Sequence, residues 1–391
     1  MKRLDSVDVM RALAIIFMVV CHFQIFLSPL EPDHKWLYFF SNHIVGDLAA
    51  PFFLFLSGLS QVLSIQKRAG MVQPVHEPLW RDRTLKRGAA VFLVGILFSI
   101  SIHGPGAAFE WDVLTLIGAS MVALRVVRGA GPKLLVFFAV GVVVLSPVLR
   151  SYGGYIEPWG GVLNPVAGIT DLFPAIMFDP AAEYSAGRSF FEVLNGFFIG
   201  GYFPLFPWLA FPLAGFAVGK AMAVGTAGAL LRMLLAAKGV LFLAVGLVLA
   251  AFGAARGGGD LIGGFVTALG FYPATVSMWC VQMGLTLLVF VFLTTVCDGR
   301  EATGGVWILF FRLFSRYSLT VYVLHHMVIF YPLYVAGALH GDLKMYHAGA
   351  IGVWAAFLLS LLFLALMVPV LGLWDKRGGK YSLEWCLARL V

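Results

Sequence analysis

"SVDVMRALAIIFMVVCHF", residues 6–23, decides what kind of protein this is. Beyond Arg11 the stretch holds almost nothing but Ala, Ile, Leu, Met, Phe and Val, and the apolar run continues to about residue 30, long enough to cross the hydrocarbon of a bilayer. It carries Asp5, Asp8, Arg11 and His22 and no small-residue cleavage site, so it is expected to be retained rather than removed as a signal peptide. The rest of the chain agrees with a membrane reading. Its 391 residues are 60% hydrophobic and 12% charged, with a mean hydropathy of +0.91, too few polar residues to cover a water-soluble globule. Runs of spanning length lie near 8–30, 44–66, 88–103, 111–127, 134–149, 205–222, 237–255, 276–297, 317–339 and 348–374. The expected fold is all-α, a polytopic transmembrane bundle of about ten spans.

Lys and Arg accumulate on the cytoplasmic side of membrane proteins. Of the 27 Lys and Arg, ten spans with a cytoplasmic N-terminus leave only Lys35, Arg150, Arg188, Arg256 and Lys344 on the opposite face. Both termini are therefore expected to be cytoplasmic. The formal charge of +7 reports topology, and no nucleic-acid partner needs to be invoked. Cys21, Cys280, Cys297 and Cys386 have no close spacing, so neither a disulfide framework nor a cysteine zinc site is indicated.

No linker or internal repeat divides the chain, and residues 1–391 read as one membrane domain. Two connections stand out. Loop 67–87 is basic and expected in the cytoplasm, with Lys67, Arg68, Arg81, Arg83, Lys86 and Arg87. Segment 150–204 is expected outside and scatters Trp159, Asp171, Asp179, Glu183, Arg188 and Glu192 among Gly, Pro and aromatic residues; connections this long are commonly functional. "RSFFEVLNGFFIGGYFPLFPW", 188–208, is too apolar for a solvated loop and is expected to form a short interfacial helix. It reads equally as a covering element or as an aromatic belt.

Ionisable residues inside spans are costly, and each is a site candidate: His22, Asp47, His103 at the outer end of the third span, and His325 with His326 in the ninth. At a rise of ~1.5 Å per residue, His22 lies about 12 Å below the outer end of its span and Asp47 roughly 5 Å below that of the next. A His22–Asp47 pair is expected on this geometry, the carboxylate fixing one imidazole nitrogen and leaving the other to accept a proton. His43, four residues before Asp47, is a second candidate base. The plain alternative for each histidine is an interhelical hydrogen bond worth ~0.6 kcal/mol on average. Because adjacent helical residues point ~100° apart, only one of His325 and His326 is expected to share a cavity with His22. Asp8 and Arg11, three apart, are expected to pair, and Ser57, Gly58 and Ser60 to let helices approach closely.

These residues carry a likeness. "RLDSVDVMRALAIIFMVVCHF" followed by "GDLAAPFFLFLSGLS" resembles the opening of the heparan-α-glucosaminide N-acetyltransferase-like membrane proteins, which are related to the broad membrane O-acyltransferase family. The likeness continues through "LKRGAAVFLVGILFS" (85–99), "WDVLTLIGAS" (111–120), "YFPLFPWLAFPLAGFAVGK" (202–220) and "YSLTVYVLHH" (317–326). It implies transfer of an acetyl or other acyl group from cytoplasmic acetyl-CoA to an amine or hydroxyl of a carbohydrate or glycolipid across the membrane. Asp47 matches the family's aspartate before the Pro-Phe stretch, and Arg87 the basic start of its third span. The resemblance leaves two candidate bases, His22 in the first span and His43 before the aspartate.

An acyltransferase needs cations for the CoA phosphates, and Arg81, Arg83, Lys86 and Arg87 supply them, although the positive-inside rule alone accounts for such a cluster. His103, His325 and His326 are candidates to line the acceptor cavity. No metal is expected. A bacterial inner membrane is the expected location. The oligomeric state is open, a homodimer among the options. A transporter or flippase, or a non-catalytic binding protein on the same fold, remains as an alternative; the first would favour inverted repeats, which the chain does not show.

Overall fold

The computed structural model describes residues 4–29, 34–69, 82–153, 190–224, 228–256, 262–272, 274–298, 306–340 and 351–390. Every regular element among them is helical. The principal helices are α1 (Asp5–Leu27), α2 (Asp47–Ala69), α3 (Arg83–His103), α4 (Val113–Val126), α5 (Pro132–Gly153), α6 (Ala210–Ala223), α7 (Gly228–Arg256), α8 (Val276–Cys297), α9 (Val306–Arg316), α10 (Ser318–His340), α11 (Val353–Lys376) and α12 (Leu383–Leu390). Among the described residues nine helical spans are long and apolar enough to cross a membrane, and α4 is a shorter apolar helix. Each of the ten hydropathy runs coincides in order with one of these. The run at 111–127 is the short one.

The reason α4 is short bears on the site. Gly104, at φ 90°, ends α3 in a conformation that favours glycine, and the chain folds back through a 3₁₀ turn, Pro105–Phe109, and Trp111, itself at φ 60°. Gly95 then lies against Thr115 and Gly118 against Phe92, so α3 and α4 are pressed together antiparallel. Continuing that register places Asp112 level with Phe98, roughly 7 Å inside the end of α3. The carboxylate that caps α4, through Leu114 N at 2.9 Å, is therefore carried into the bundle.

Close approach is also the rule between α2 and α6, as read from Ser57, Gly58 and Ser60. A side chain at Gly58 would run into the carbonyl of Pro212, and one at Gly215 into the carbonyl of Phe55. Without a hydrophobic force between helices in lipid, such packing holds the bundle together. Gly215→Val should accordingly lower the thermal unfolding temperature in detergent, by an overpacking cost of about 1–3 kcal/mol, whereas Gly264→Ala, where a Cβ meets nothing, should leave it unchanged.

One end of the bundle is tied by polar contacts. Arg312 donates to Asp5 Oδ1 through Nη2 at 2.7 Å and Nε at 3.0 Å. Ser6 donates to Asp298 through its amide at 3.0 Å and its hydroxyl at 2.6 Å, and Arg316 meets Asp375 at 2.5 Å. Asp8 and Arg11 are joined through a shared residue: Ser315 Oγ donates to Asp8 at 2.7 Å, while Arg11 donates to Ser315 at 3.2 Å and to Ser60 at 2.7 Å. The starts of α1 and α10 and the ends of α8 and α11 thus share one end of the bundle, along with α12.

Of the basic loop 67–87, residues 70–81 lie outside the described residues, Arg81 among them. So do residues 154–189 of the long connection, with Trp159, Asp171, Asp179, Glu183 and Arg188. The short helix expected within 188–208 is present as Phe190–Asn195, followed by a π-type turn, Gly196–Gly200. It packs on the folded-back strap between α3 and α4: the Phe197 ring lies 5.0 Å from that of Trp111, and Phe203 N donates to Trp111 O at 3.2 Å.

Candidate functional site

Helix α10 begins against α12. Glu384 Oε1 accepts from Leu319 N at 2.8 Å and Thr320 N at 3.0 Å, and Thr320 Oγ1 donates to Oε2 at 2.5 Å; the carboxylate satisfies the free amides of the first turn. Burial pushes the Glu384 carboxyl above the usual carboxylate range, against these hydrogen bonds. With its start held, α10 lifts His325 and His326 roughly 10–12 Å into the bundle. His22 reaches the same level on α1, about 16 Å beyond Arg11.

The three imidazoles meet there. His325 Nδ1 lies 3.0 Å from the carbonyl of Val321, and His326 Nδ1 3.0 Å from that of Tyr322. A carbonyl only accepts, so both Nδ1 atoms carry the proton and both Nε2 atoms carry lone pairs. His22 Nδ1 is 2.9 Å from His325 Nε2, and must donate to it. His22 Nε2 is left with the free lone pair. Contrary to expectation, both α10 histidines face His22: ring centroids lie 5.2 Å from it for His325 and 4.6 Å for His326. Their Cβ bonds diverge by ~100°, but His22 enters at the groove between them, and each ring is long enough to reach it.

Aromatic side chains wall this group. Phe26 lies 5.4 Å from the His22 ring, and Phe98 4.8 Å and Tyr322 5.0 Å from that of His326. His103 stands beside Phe330, edge-on to its ring at 5.1 Å, and is near enough to interact electrostatically with His22 and His326. The Tyr322 hydroxyl donates to Asp112 Oδ2 at 2.7 Å, so a carboxylate stands one tyrosine away from the histidines. Neither Asp112 nor Tyr322 was a candidate in the sequence reading. An acid at the edge of an apolar run reads as a boundary residue; only the fold-back before α4 puts it inside. The available signal was an Asp in a run counted as a span.

The expected His22–Asp47 pair does not form. Asp47 opens α2 after a π-type turn, Phe40–Gly46, whose Gly46 packs on Cys21. Cys21 and His22 point ~100° apart on α1, so the side of α1 that meets Asp47 is not the side that carries His22 to α10. Asp47 instead meets His43, Nδ1 to Oδ2 at 3.5 Å, with the His43 side chain 47% exposed and that of Asp47 14%. Gln282 Nε2 holds the Asp47 carbonyl at 3.0 Å. There are thus two separate constellations, an inner histidine trio and an outer His–Asp pair.

At the start of α3, Arg83, Lys86 and Arg87 are exposed. Asp82 caps this helix, accepting from Thr84 N at 2.8 Å and Leu85 N at 3.3 Å, and meets Arg125 at 2.5 Å. Burial works against ionising Asp82, but the Arg125 guanidinium and the two amides prevail and hold its carboxyl below the usual range. No metal was expected from the sequence. The structure brings His22, His325 and His326 together with one ligating atom of each within 4.8 Å of the others, a set able to hold an ion.

Among known families, the sequence model of the heparan-alpha-glucosaminide N-acetyltransferase catalytic domain matches residues 3–244, more than half of the 391 residues. The match includes His22, His43, Asp47, the basic start of α3 and Asp112, and ends before α10. None of the curated proteins matches the chain.

Proposed function

The chain belongs to the heparan-α-glucosaminide N-acetyltransferase family, and from that premise we propose that it moves an acetyl group from acetyl-CoA, held at the cytoplasmic end, to an amine or hydroxyl of a glycan or glycolipid at the opposite face. His22 is the base. The observation that carries this is the 2.9 Å contact of His22 Nδ1 with His325 Nε2, which leaves the lone pair of His22 Nε2 available to accept a proton inside the bundle. There a thioester entering from one face meets an acceptor entering from the other. His325 thereby takes the orienting role first given to Asp47.

In the reaction the acceptor's N–H or O–H gives its proton to His22 Nε2 as its heteroatom attacks the thioester carbonyl. The new C–N or C–O bond forms, the C–S bond breaks, and the proton passes to the departing thiolate. The aromatic walls formed by Phe26, Phe98 and Phe330 exclude water, which disfavours hydrolysis of the thioester. A second reading, in which His43 is the base, rests on its 3.5 Å approach to Asp47.

The experiment is release of free CoA thiol by purified protein in nanodiscs, given acetyl-CoA and either a hexosamine or a neutral hexose glycoside. Acceptor-dependent thiol release supports the reading, and the preferred acceptor identifies amine or hydroxyl. No release with any acceptor refutes it. The donor site is proposed at Arg83, Lys86 and Arg87, with Arg81 beside them in sequence. Arg83→Ala with Arg87→Ala should weaken acetyl-CoA binding, measured calorimetrically, by roughly tenfold or more, since charge-assisted contacts to phosphate contribute about 1.5–3 kcal/mol each. Unchanged affinity would leave those residues as topology signals alone.

A further inference from the structure

We propose that His22, His325 and His326 form a site for one divalent transition-metal ion of the zinc class, and that the bound ion takes the base out of action. The second half rests on the acyltransferase reading; the first stands without it. Three imidazoles whose ligating atoms, one from each, lie within 4.8 Å of one another need only a modest contraction to reach a common ion at about 2.0–2.1 Å. Two of them already have the arrangement of bound ligands. His325 and His326 each give Nδ1–H to a backbone carbonyl at 3.0 Å, which locks the tautomer, aims the ring and turns Nε2 inward, as the outer partners of metal-bound histidines do. Imidazole ligands suit zinc, copper and nickel rather than magnesium or calcium. The apolar wall of Phe26, Phe98 and Phe330 limits competing water.

The ion and the base need the same nitrogens. In the hydrogen-bonded trio His22 Nδ1 gives its proton to His325 Nε2, and both of these atoms face the centre. To bind through Nδ1, His22 must move that proton to Nε2, the atom that accepts from the substrate. The trio is neutral before and after the shift, so the ion is bound with no net proton release from it, and the lone pair used in transfer is lost. Three neutral ligands leave a fourth position for water.

The test uses purified protein in nanodiscs, stripped with a chelator and titrated with Co²⁺ as a visible-absorption probe, then with Zn²⁺ in competition. One ion per chain is expected, with the intense absorption of tetrahedral cobalt. His325→Gln and His326→Gln should each lose at least about tenfold in affinity, with His22→Gln as the third variant should either fail to fold. His34→Gln, at an exposed position, should bind as the parent does. No bound ion, or affinity unchanged in the trio variants, overturns the site. Saturating Zn²⁺ should abolish acetyl transfer, and transfer that persists with the site full overturns the blocking role. Metal-stripped protein that never transfers acetyl refutes the acyltransferase reading, while the titration still judges the site.

Discussion

Replacing His22 by Ala is expected to leave a folded protein that binds acetyl-CoA normally and transfers acetyl roughly 10²–10⁴-fold more slowly, the usual size of a general-base contribution. The loss should fall on kcat, because the imidazole acts only as the acceptor proton departs. His43→Ala and Asp47→Asn are the matched competitors. Their pair lies apart from the trio, so both should retain near-normal rates if His22 is the base. A near-normal His22→Ala beside a dead His43→Ala would move the chemistry to the outer pair and leave His22 a packing residue. Single-turnover thiol release separates these outcomes without knowledge of the final product.

The second large effect is expected at His325. Its Nε2 accepts the His22 Nδ1 proton at 2.9 Å, so His325→Phe keeps a ring in place but removes the hydrogen bond that selects the His22 tautomer. A free imidazole then divides between tautomers and orientations. A fall in kcat of roughly 10²–10⁴-fold is expected, with KM for acetyl-CoA unchanged, in line with the loss of an orienting partner in serine-protease triads. Residues that act as a unit are not additive, so the His22→Ala, His325→Phe double variant should be hardly slower than either single one. If instead the two losses multiply, His325 acts on its own and the orienting role assigned to it is wrong. Tyr322, which connects the trio to Asp112, offers a graded comparison: Tyr322→Phe removes one 2.7 Å hydrogen bond while keeping the aromatic wall.

Much of this architecture was legible in the order of residues because insertion into a bilayer is decided segment by segment. An apolar run such as 6–23 must bury its backbone polar groups in its own hydrogen bonds wherever it sits, so each run is a helix before it has neighbours. The same local cost marked His22, Asp47, His325 and His326 as residues that need a purpose. Gly58 could be read as a contact point because a residue without a side chain has one main use between helices.

What stayed illegible depends on which helix faces which. His22 and His325 are 303 positions apart, and no periodicity says that α1 presents His22 to α10 and Cys21 to the turn before Asp47. The expected His22–Asp47 pair failed on a rotation of ~100°, a single residue's step around α1. Asp112 drew no attention because a hydropathy run records where apolar residues start, whereas a fold-back after Gly104 decides how deep that start lies. Sequence alone thus determined the helices and the polar residues that needed partners. The tertiary structure alone chose the partners, because a pairing in a bundle is set by helix rotation and depth, and both are fixed by packing against neighbours distant in the chain.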